Sequence, residues 1–226
     1  MWTGAIENQG FAIIPEVLRD EDVSDLTETL DKSALPRSRA GVRHVLRDPI
    51  VANVARDSRL LSIAQEILGG SAIPFRATFF DKSPESNWLV AWHQDTALPL
   101  RERRETESWG PWSMKEGVNY AHAPASALSN VVALRVHLDD STTDNGPLRV
   151  LPGTHRSGVL TNQEIRGLAD RVSPVECLVP KGGVVAMRPL IVHSSSKSRV
   201  PAARRVLHIE YAVSLELDGG LALAIA

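Results

Sequence analysis

The chain has almost no cysteine, no long apolar run, no excess of charge of either sign and no internal repeat, and each absence removes a class of answer. Cys177 is the one thiol in 226 residues, so an intramolecular disulfide framework is excluded and a reducing, cytoplasmic setting is expected. No apolar stretch approaches the roughly 20 residues that cross a bilayer. Met1 to Gly10 lacks the basic-then-apolar order of a leader, so a soluble, unprocessed chain without a membrane partner is expected. Lys and Arg number 25 against 27 Asp and Glu, a net charge of -2, so no global field attracts nucleic acid. The expected partner is a small molecule. No heptad or exposed apolar stripe is readable, which leaves the oligomeric state open.

The length suits one domain over 1–226, with an N-terminal helical cover to about residue 72 and a β-rich core over about 73–215. Phe11 to Pro15 reads as a strand. Asp20 can then cap a helix with Val23, Leu26 and Leu30 on one face. Residues 31 to 47 contain Pro36, Gly41 and the basic set Lys32, Arg37, Arg39, Arg43 and Arg47, a surface connection or a pocket border. Asp48-Pro49 and Asp57-Ser58 start two more helices, and Gly69-Gly70 ends the second.

From Ile73 the signal changes to short β-rich runs: Ile73 to Phe80, Val90 to His93, Val131 to Leu138, Leu148 to Leu151, Val175 to Val179, Val184 to Met187, Ile191 to His193 and Val206 to Val213. No intervening helix is long enough for a βαβ crossover. An antiparallel double-stranded β-helix, a cupin-like jelly roll with helices over one outer face, is therefore predicted. The insertion at about 101–128 carries Trp109, Trp112, Lys115, Tyr120 and His122, and its length and aromatics suggest a substrate lid. The closing Gly219 to Ala226 reads as a tail or a last edge segment.

Trp92-His93-Gln94-Asp95 carries the chemistry. On an extended segment His93 and Asp95 point to one side while Gln94 faces away. His193, at the end of the apolar run Pro189 to Val192, is the best third ligand. Two histidines and a carboxylate leave three adjacent coordination positions open, as non-haem Fe(II) requires for a chelating co-substrate and dioxygen. Arg204 lies eleven residues further on, where its planar fork would suit a carboxylate of that co-substrate. Arg205 remains an alternative. Arg135 and His137 share a face opposite Val132, Leu134, Val136 and Leu138. That face is either solvated or a cavity wall on which Arg135 meets an anionic substrate. His208 shares a face with Arg204, under the co-substrate or within the core. Lys82 reads first as a solvated lysine, and His155 as surface or a supporting donor. Arg101, Arg103 and Arg104 read as a solvated loop or a phosphate site.

Taken together, Gly10-Phe11, Phe80 to Pro84, Trp92 to Asp95, Leu138-Asp139-Asp140, Asn145 to Leu148, Pro152 to His155, and His193 with Arg204 make the sequence resemble the phytanoyl-CoA dioxygenase family of Fe(II)- and 2-oxoglutarate-dependent oxygenases. The resemblance implies that His93, Asp95 and His193 ligate iron. It also implies that Arg204 binds the distal carboxylate of 2-oxoglutarate with help from Ser195. Oxidative decarboxylation to succinate would then accompany hydroxylation of a small organic molecule. Halogenating relatives lack the carboxylate ligand, so Asp95 argues for an oxygenase outcome. Family substrates span lipid thioesters, amino-acid derivatives and secondary metabolites, so the family name assigns no acyl-CoA. The competing reading is a cupin-like metal-dependent isomerase, hydrolase or ligand-binding protein, for which Arg204 has no clear use.

Overall fold

In a computed structural model, four helices come before the first long strand: α1 (Trp2–Gln9), α2 (Asp20–Lys32), α3 (Pro49–Ala55) and α4 (Ser58–Leu68). The structure describes residues 2–32, 41–83 and 86–226; Pro36, Arg37, Arg39 and Pro84 lie outside the described residues. Asp48 accepts from the Ile50 amide at 2.8 Å and Asp57 from the Arg59 amide at 2.9 Å. Both aspartates thus satisfy amides that a helix start leaves unpaired. Gly69 ends α4 in the left-handed region, φ 69. The sequence reading missed α1, whose one buried residue is Ile6, too few for a periodic signal.

The strands are β1 (Phe11–Ile14), β2 (Ile73–Lys82), β3 (Val90–His93), β4 (Ala97–Leu100), β5 (Trp112–Lys115), β6 (Val118–His122), β7 (Val131–His137), β8 (Leu148–Val150), β9 (Val175–Cys177), β10 (Val184–Met187), β11 (His193–Ser195) and β12 (Arg204–Ala212), with short helices α5 (Ala125–Leu128) and α6 (Asn162–Ala169). A five-stranded sheet in the order β1-β10-β7-β12-β2 faces a four-stranded sheet in the order β3-β11-β8-β9, all antiparallel. This is the expected jelly roll. Each of the eight runs read from Ile73 onward overlaps a strand, except that Ile191 and Val192 are irregular and the strand begins at His193.

Strands β4, β5 and β6 were not anticipated. They form a separate sheet, β4-β6-β5, so the segment expected as a lid contains a hairpin. Glu116 and Gly117, both at positive φ, make its turn. A glutamate is an unusual residue there, and the Asn-Gly or Asp-Gly signal that marks such turns is missing.

The layers follow from strand alternation. Outward residues of β7 (Val132, Leu134, Val136) and β12 (Leu207, Ile209, Tyr211) form a core with Val23, Leu26, Leu30 and Leu60 of the helices. Tyr211 also donates its hydroxyl to the Ala55 carbonyl at 3.0 Å. Between the sheets, Ala133, Val185 and Met187 meet Leu148, Val150 and Cys177, filling one part of the interior. The other part is lined by polar inward residues and is a cavity of about 520 Å³. The last residues run beside β2: the Ala226 amide donates to Phe75 and its carbonyl accepts from Ala77, at 2.7 and 2.9 Å. This segment covers a sheet edge that would otherwise expose unpaired backbone groups.

Candidate metal centre

His93 and His193 are direct cross-strand partners where β3 pairs with β11. Cross-strand neighbours stand side by side on one face, and their ring centroids are 4.2 Å apart. Asp95, two residues beyond His93, joins the same face as the Asp95 amide bonds the Pro189 carbonyl at 3.0 Å. Its carboxylate oxygens lie 3.7 Å from His93 Nε2 and 3.5 Å from His193 Nε2. One ligand atom from each of the three lies within 4.8 Å of the others.

Each ring is oriented by the same local device. His93 Nδ1 bonds the Ala91 carbonyl at 2.8 Å and His193 Nδ1 the Ile191 carbonyl at 2.9 Å. A carbonyl only accepts, so each Nδ1 carries a proton and each Nε2 is turned toward Asp95. Burial pushes His193 down to about 3, keeping it neutral. Two imidazoles that present Nε2 and one carboxylate are the donor set a divalent metal takes, so the residues fit the group. Gln94 does face away: its amide donates to Gly158 and Leu190 at 2.9 and 2.7 Å and accepts from Leu160 at 2.8 Å, fixing the loops behind the ligands.

The cavity's inner end is built around Ser195, two residues after His193. Arg204, 3% exposed, donates to Ser195 Oγ and to the Asn145 carbonyl, both at 3.3 Å. Its Nη1 is buried without a partner, a donor left for a ligand. Lys82 is not solvated as its sequence context suggests: it is 1% exposed and donates to Ser195 Oγ at 2.8 Å and the Ser196 carbonyl at 2.5 Å. Burial, then Arg204 and Arg135, lower it to about 7. Burial and Arg135 lower Arg204 to about 9, which still leaves the guanidinium charged at neutral pH. Gly146, at φ 68, allows this approach, because a Cβ there would lie 2.3 Å from the Ser196 carbonyl oxygen and 3.2 Å from Lys82 Nζ. Arg205 faces the opposite way, bonded to Asp139 at 2.8 Å and Asp31 at 2.9 Å.

Other residues named from sequence divide between wall and background. Arg135, His208 and Tyr120 line the cavity. Arg135 lies 3.1 Å from His208 Nδ1 and 5.2 Å from the Phe80 ring centroid. His137 is buried behind the wall with neither ring nitrogen partnered. Burial, then Arg135 and Arg204, hold its pKa well below the usual histidine range. Trp109 and Trp112 do not line the cavity and pack against the cluster of Leu98, Leu100 and Leu128. His155 bonds the Glu7 carbonyl at 3.2 Å, away from the centre. Arg101, Arg103 and Arg104 form exposed ion pairs with Glu216, Glu105 and Glu102.

The sequence reading missed Arg76 as a wall residue, left Arg43 between surface and pocket border, and named Lys115 in the suggested lid; all three line the cavity. Arg76 is paired with the buried Glu210, its Nη2 2.6 Å from Oε1, and its Nη1 donates to the Ala97 carbonyl at 2.7 Å. The available signal was alternation along β2, where Arg76, Thr78, Phe80 and Lys82 all line the cavity while Phe75, Ala77 and Phe79 are buried in apolar clusters.

Comparison with known proteins completes the description. A family model described as Phytanoyl-CoA dioxygenase (PhyH) matches residues 6–206. The L-proline trans-4-hydroxylase of Streptomyces griseoviridis is 25% identical over 240 residues, covering 89% of this chain and 82% of the relative. The ectoine dioxygenase of Halomonas elongata is 22% identical over 236 residues, covering 88% of this chain and 65% of the relative. Among solved structures, apo EctD from S. alaskensis aligns with TM-score 0.71 at 19% identity over 98% of this chain and 82% of the other. The epimerase SnoN, solved with Fe3+, alpha ketoglutarate and nogalamycin RO, aligns with TM-score 0.72 at 15% identity over 99% and 84%. These structural likenesses establish the fold.

Proposed function

The chain belongs to the phytanoyl-CoA dioxygenase family, and from that premise we propose that this Fe(II)- and 2-oxoglutarate-dependent dioxygenase hydroxylates a small organic molecule. The convergence of His93 Nε2, His193 Nε2 and one Asp95 oxygen, with both rings fixed through Nδ1, is the observation that carries the reading. Those three atoms would hold the iron. Its relatives act on proline and ectoine, which supports a small-molecule substrate.

When bound, iron supplies a two-electron oxidation in which 2-oxoglutarate and dioxygen become succinate and carbon dioxide, with the second oxygen atom inserted into a substrate C–H bond. The protein's work is binding, orientation and exclusion of water. Arg204 holds the distal carboxylate of 2-oxoglutarate through its free Nη1, with Ser195 Oγ beside it. Lys82 adds a donor at the same hydroxyl. Arg135, against His208 and the Phe80 ring, adds a further cation to the wall. Phe80 and Trp88 supply apolar wall.

The test is anaerobic addition of Fe(II) and 2-oxoglutarate to metal-free protein, followed by oxygen. A visible charge-transfer band, lost in His193→Ala and weakened in Arg204→Ala, and then succinate are expected. Bound metal without the band and without 2-oxoglutarate binding would overturn the reading in favour of a cupin-like isomerase, hydrolase or binding protein.

A further inference from the structure

The cavity carries more positive charge than an iron centre and one dicarboxylate use. Arg43, Arg76, Lys82, Lys115, Arg135 and Arg204 line it, against Asp95 as the one acidic residue of the wall among the described residues. Lys82 and Arg204 meet at Ser195, Arg135 lies against His208 and the Phe80 ring, and Arg76 is neutralised by Glu210. Arg43 and Lys115 are left over. They come from separate segments, the connection after Gly41 and the end of β5, and neither forms an ion pair among the described residues. Tyr120 joins the two segments: Lys115 Nζ lies 4.7 Å from its ring centroid, and its hydroxyl is 2.9 Å from Nε2 of His44, the neighbour of Arg43. The nearby Glu116 is exposed, its carboxylate 3.4 Å from His44 Nδ1. Burial, then Arg43 and Arg76, hold the Lys115 ammonium below the usual lysine range. Like charges kept together without a counterion are costly, and an anionic ligand relieves that cost.

We propose that Arg43 and Lys115 receive a carboxylate of the organic substrate, and that this substrate carries no free ammonium group. The proposal rests on the oxygenase reading above and names its substrate class. An ammonium finds no spare carboxylate on the wall, because Asp95 is its one acidic residue among the described residues and is committed to the metal. The favoured substrate is therefore an organic acid, or an amino acid whose nitrogen is acylated, with its reacting carbon between the iron and this outer cation pair. The exposed Leu89 and the Trp88 ring, also on the wall, suit an apolar body.

The experiment uses probes that share one carbon skeleton: 4-phenylbutanoate, 4-phenylbutanamide and 2-amino-4-phenylbutanoate, repeated on shorter and alkyl skeletons. Each is titrated calorimetrically into wild-type protein, and again after anaerobic loading with Fe(II) and 2-oxoglutarate while the visible band is followed. On at least one skeleton the carboxylate is expected to bind about tenfold or more tightly than its amide, from charge-assisted hydrogen bonds at a partly desolvated site. The amino derivative should lose most of that gain. In the Arg43→Gln/Lys115→Gln variant the carboxylate and amide should converge. Equal binding of carboxylate and amide on every skeleton, no binding on any, or a gap that survives the double variant would overturn the proposal. A missing band in wild-type protein would count against the iron and 2-oxoglutarate reading instead, and the calorimetric gap, which needs no iron, would still decide the outer site.

Discussion

The two ends of the cavity hold their cations in different ways. At the inner end Arg204 and Lys82 are 3% and 1% exposed and tied to Ser195 and to backbone carbonyls. At the outer end Arg43 is exposed, and Lys115 rests over the Tyr120 ring without an ion pair. Rigid, pre-bonded donors suit a ligand that is the same in every turnover, because its ordering cost is met during folding. The same side-chain types, left partly or fully exposed and without ion pairs among the described residues, suit a ligand that varies among family members. On the proposed reading, the inner end takes the co-substrate and the outer end the substrate.

The largest expected effect falls on the centre that both ends serve. Asp95→Ala removes a ligand whose metal contributes several kcal/mol, so turnover should drop roughly a thousandfold or more. Undiminished succinate formation would break the comparison at its middle. Next, Arg204→Ala truncates one partner of a buried charge pair, a change that costs about 2–5 kcal/mol. The dissociation constant of 2-oxoglutarate should rise by about a hundredfold, as read from titration of the visible band. A rise under threefold would remove Arg204 from the inner end.

A smaller effect separates the ends by pH. Lys82 loses its proton near 7 in the free protein, and a bound carboxylate favours the charged form, so its pKa must rise in the complex. Below 7 the lysine is charged in both states and affinity is at its plateau. Above 7 each binding event takes up a proton, and affinity should fall by up to about tenfold per pH unit. Calorimetry in buffers of different ionisation heat would detect this uptake, and Lys82→Met should flatten the profile. The smallest effect concerns neither end. Trp109→Leu should cost about 1–2 kcal/mol of stability through lost packing while leaving the substrate KM within about twofold; a large KM change would restore Trp109 to the substrate site.

This contrast also explains what the sequence disclosed. The ligands were legible because His93 and Asp95 are fixed by spacing two apart, and because the order of motifs through Arg204 is itself a pattern. Helix starts at Asp48 and Asp57 were legible because capping is local. Lys82 was not, since strand alternation separates two faces without saying which one meets solvent. A polar wall around an internal cavity has the same pattern as a surface. Arg43 and Lys115 depend on tertiary proximity across 72 positions, and the hairpin that carries Lys115 turns on Glu116, which resembles no turn signal. Arg205 illustrates the reverse: it neighbours Arg204 in sequence, and only its contacts with Asp139 and Asp31 show that it turns away from the cavity.

Strand β12 places Arg204 and His208 on the cavity wall and Leu207, Ile209 and Tyr211 in the helix-covered core. Because side chains alternate with period two, a register slip of one position would exchange the two sets. The strand should therefore tolerate no single-residue insertion or deletion between Arg204 and Tyr211. One lost codon there would bury the arginine among the helices and turn leucine, isoleucine and tyrosine toward the iron. Along this segment the reading frame of the pleat is under the same constraint as the chemistry, and length variation among its descendants should be confined to the turns on either side.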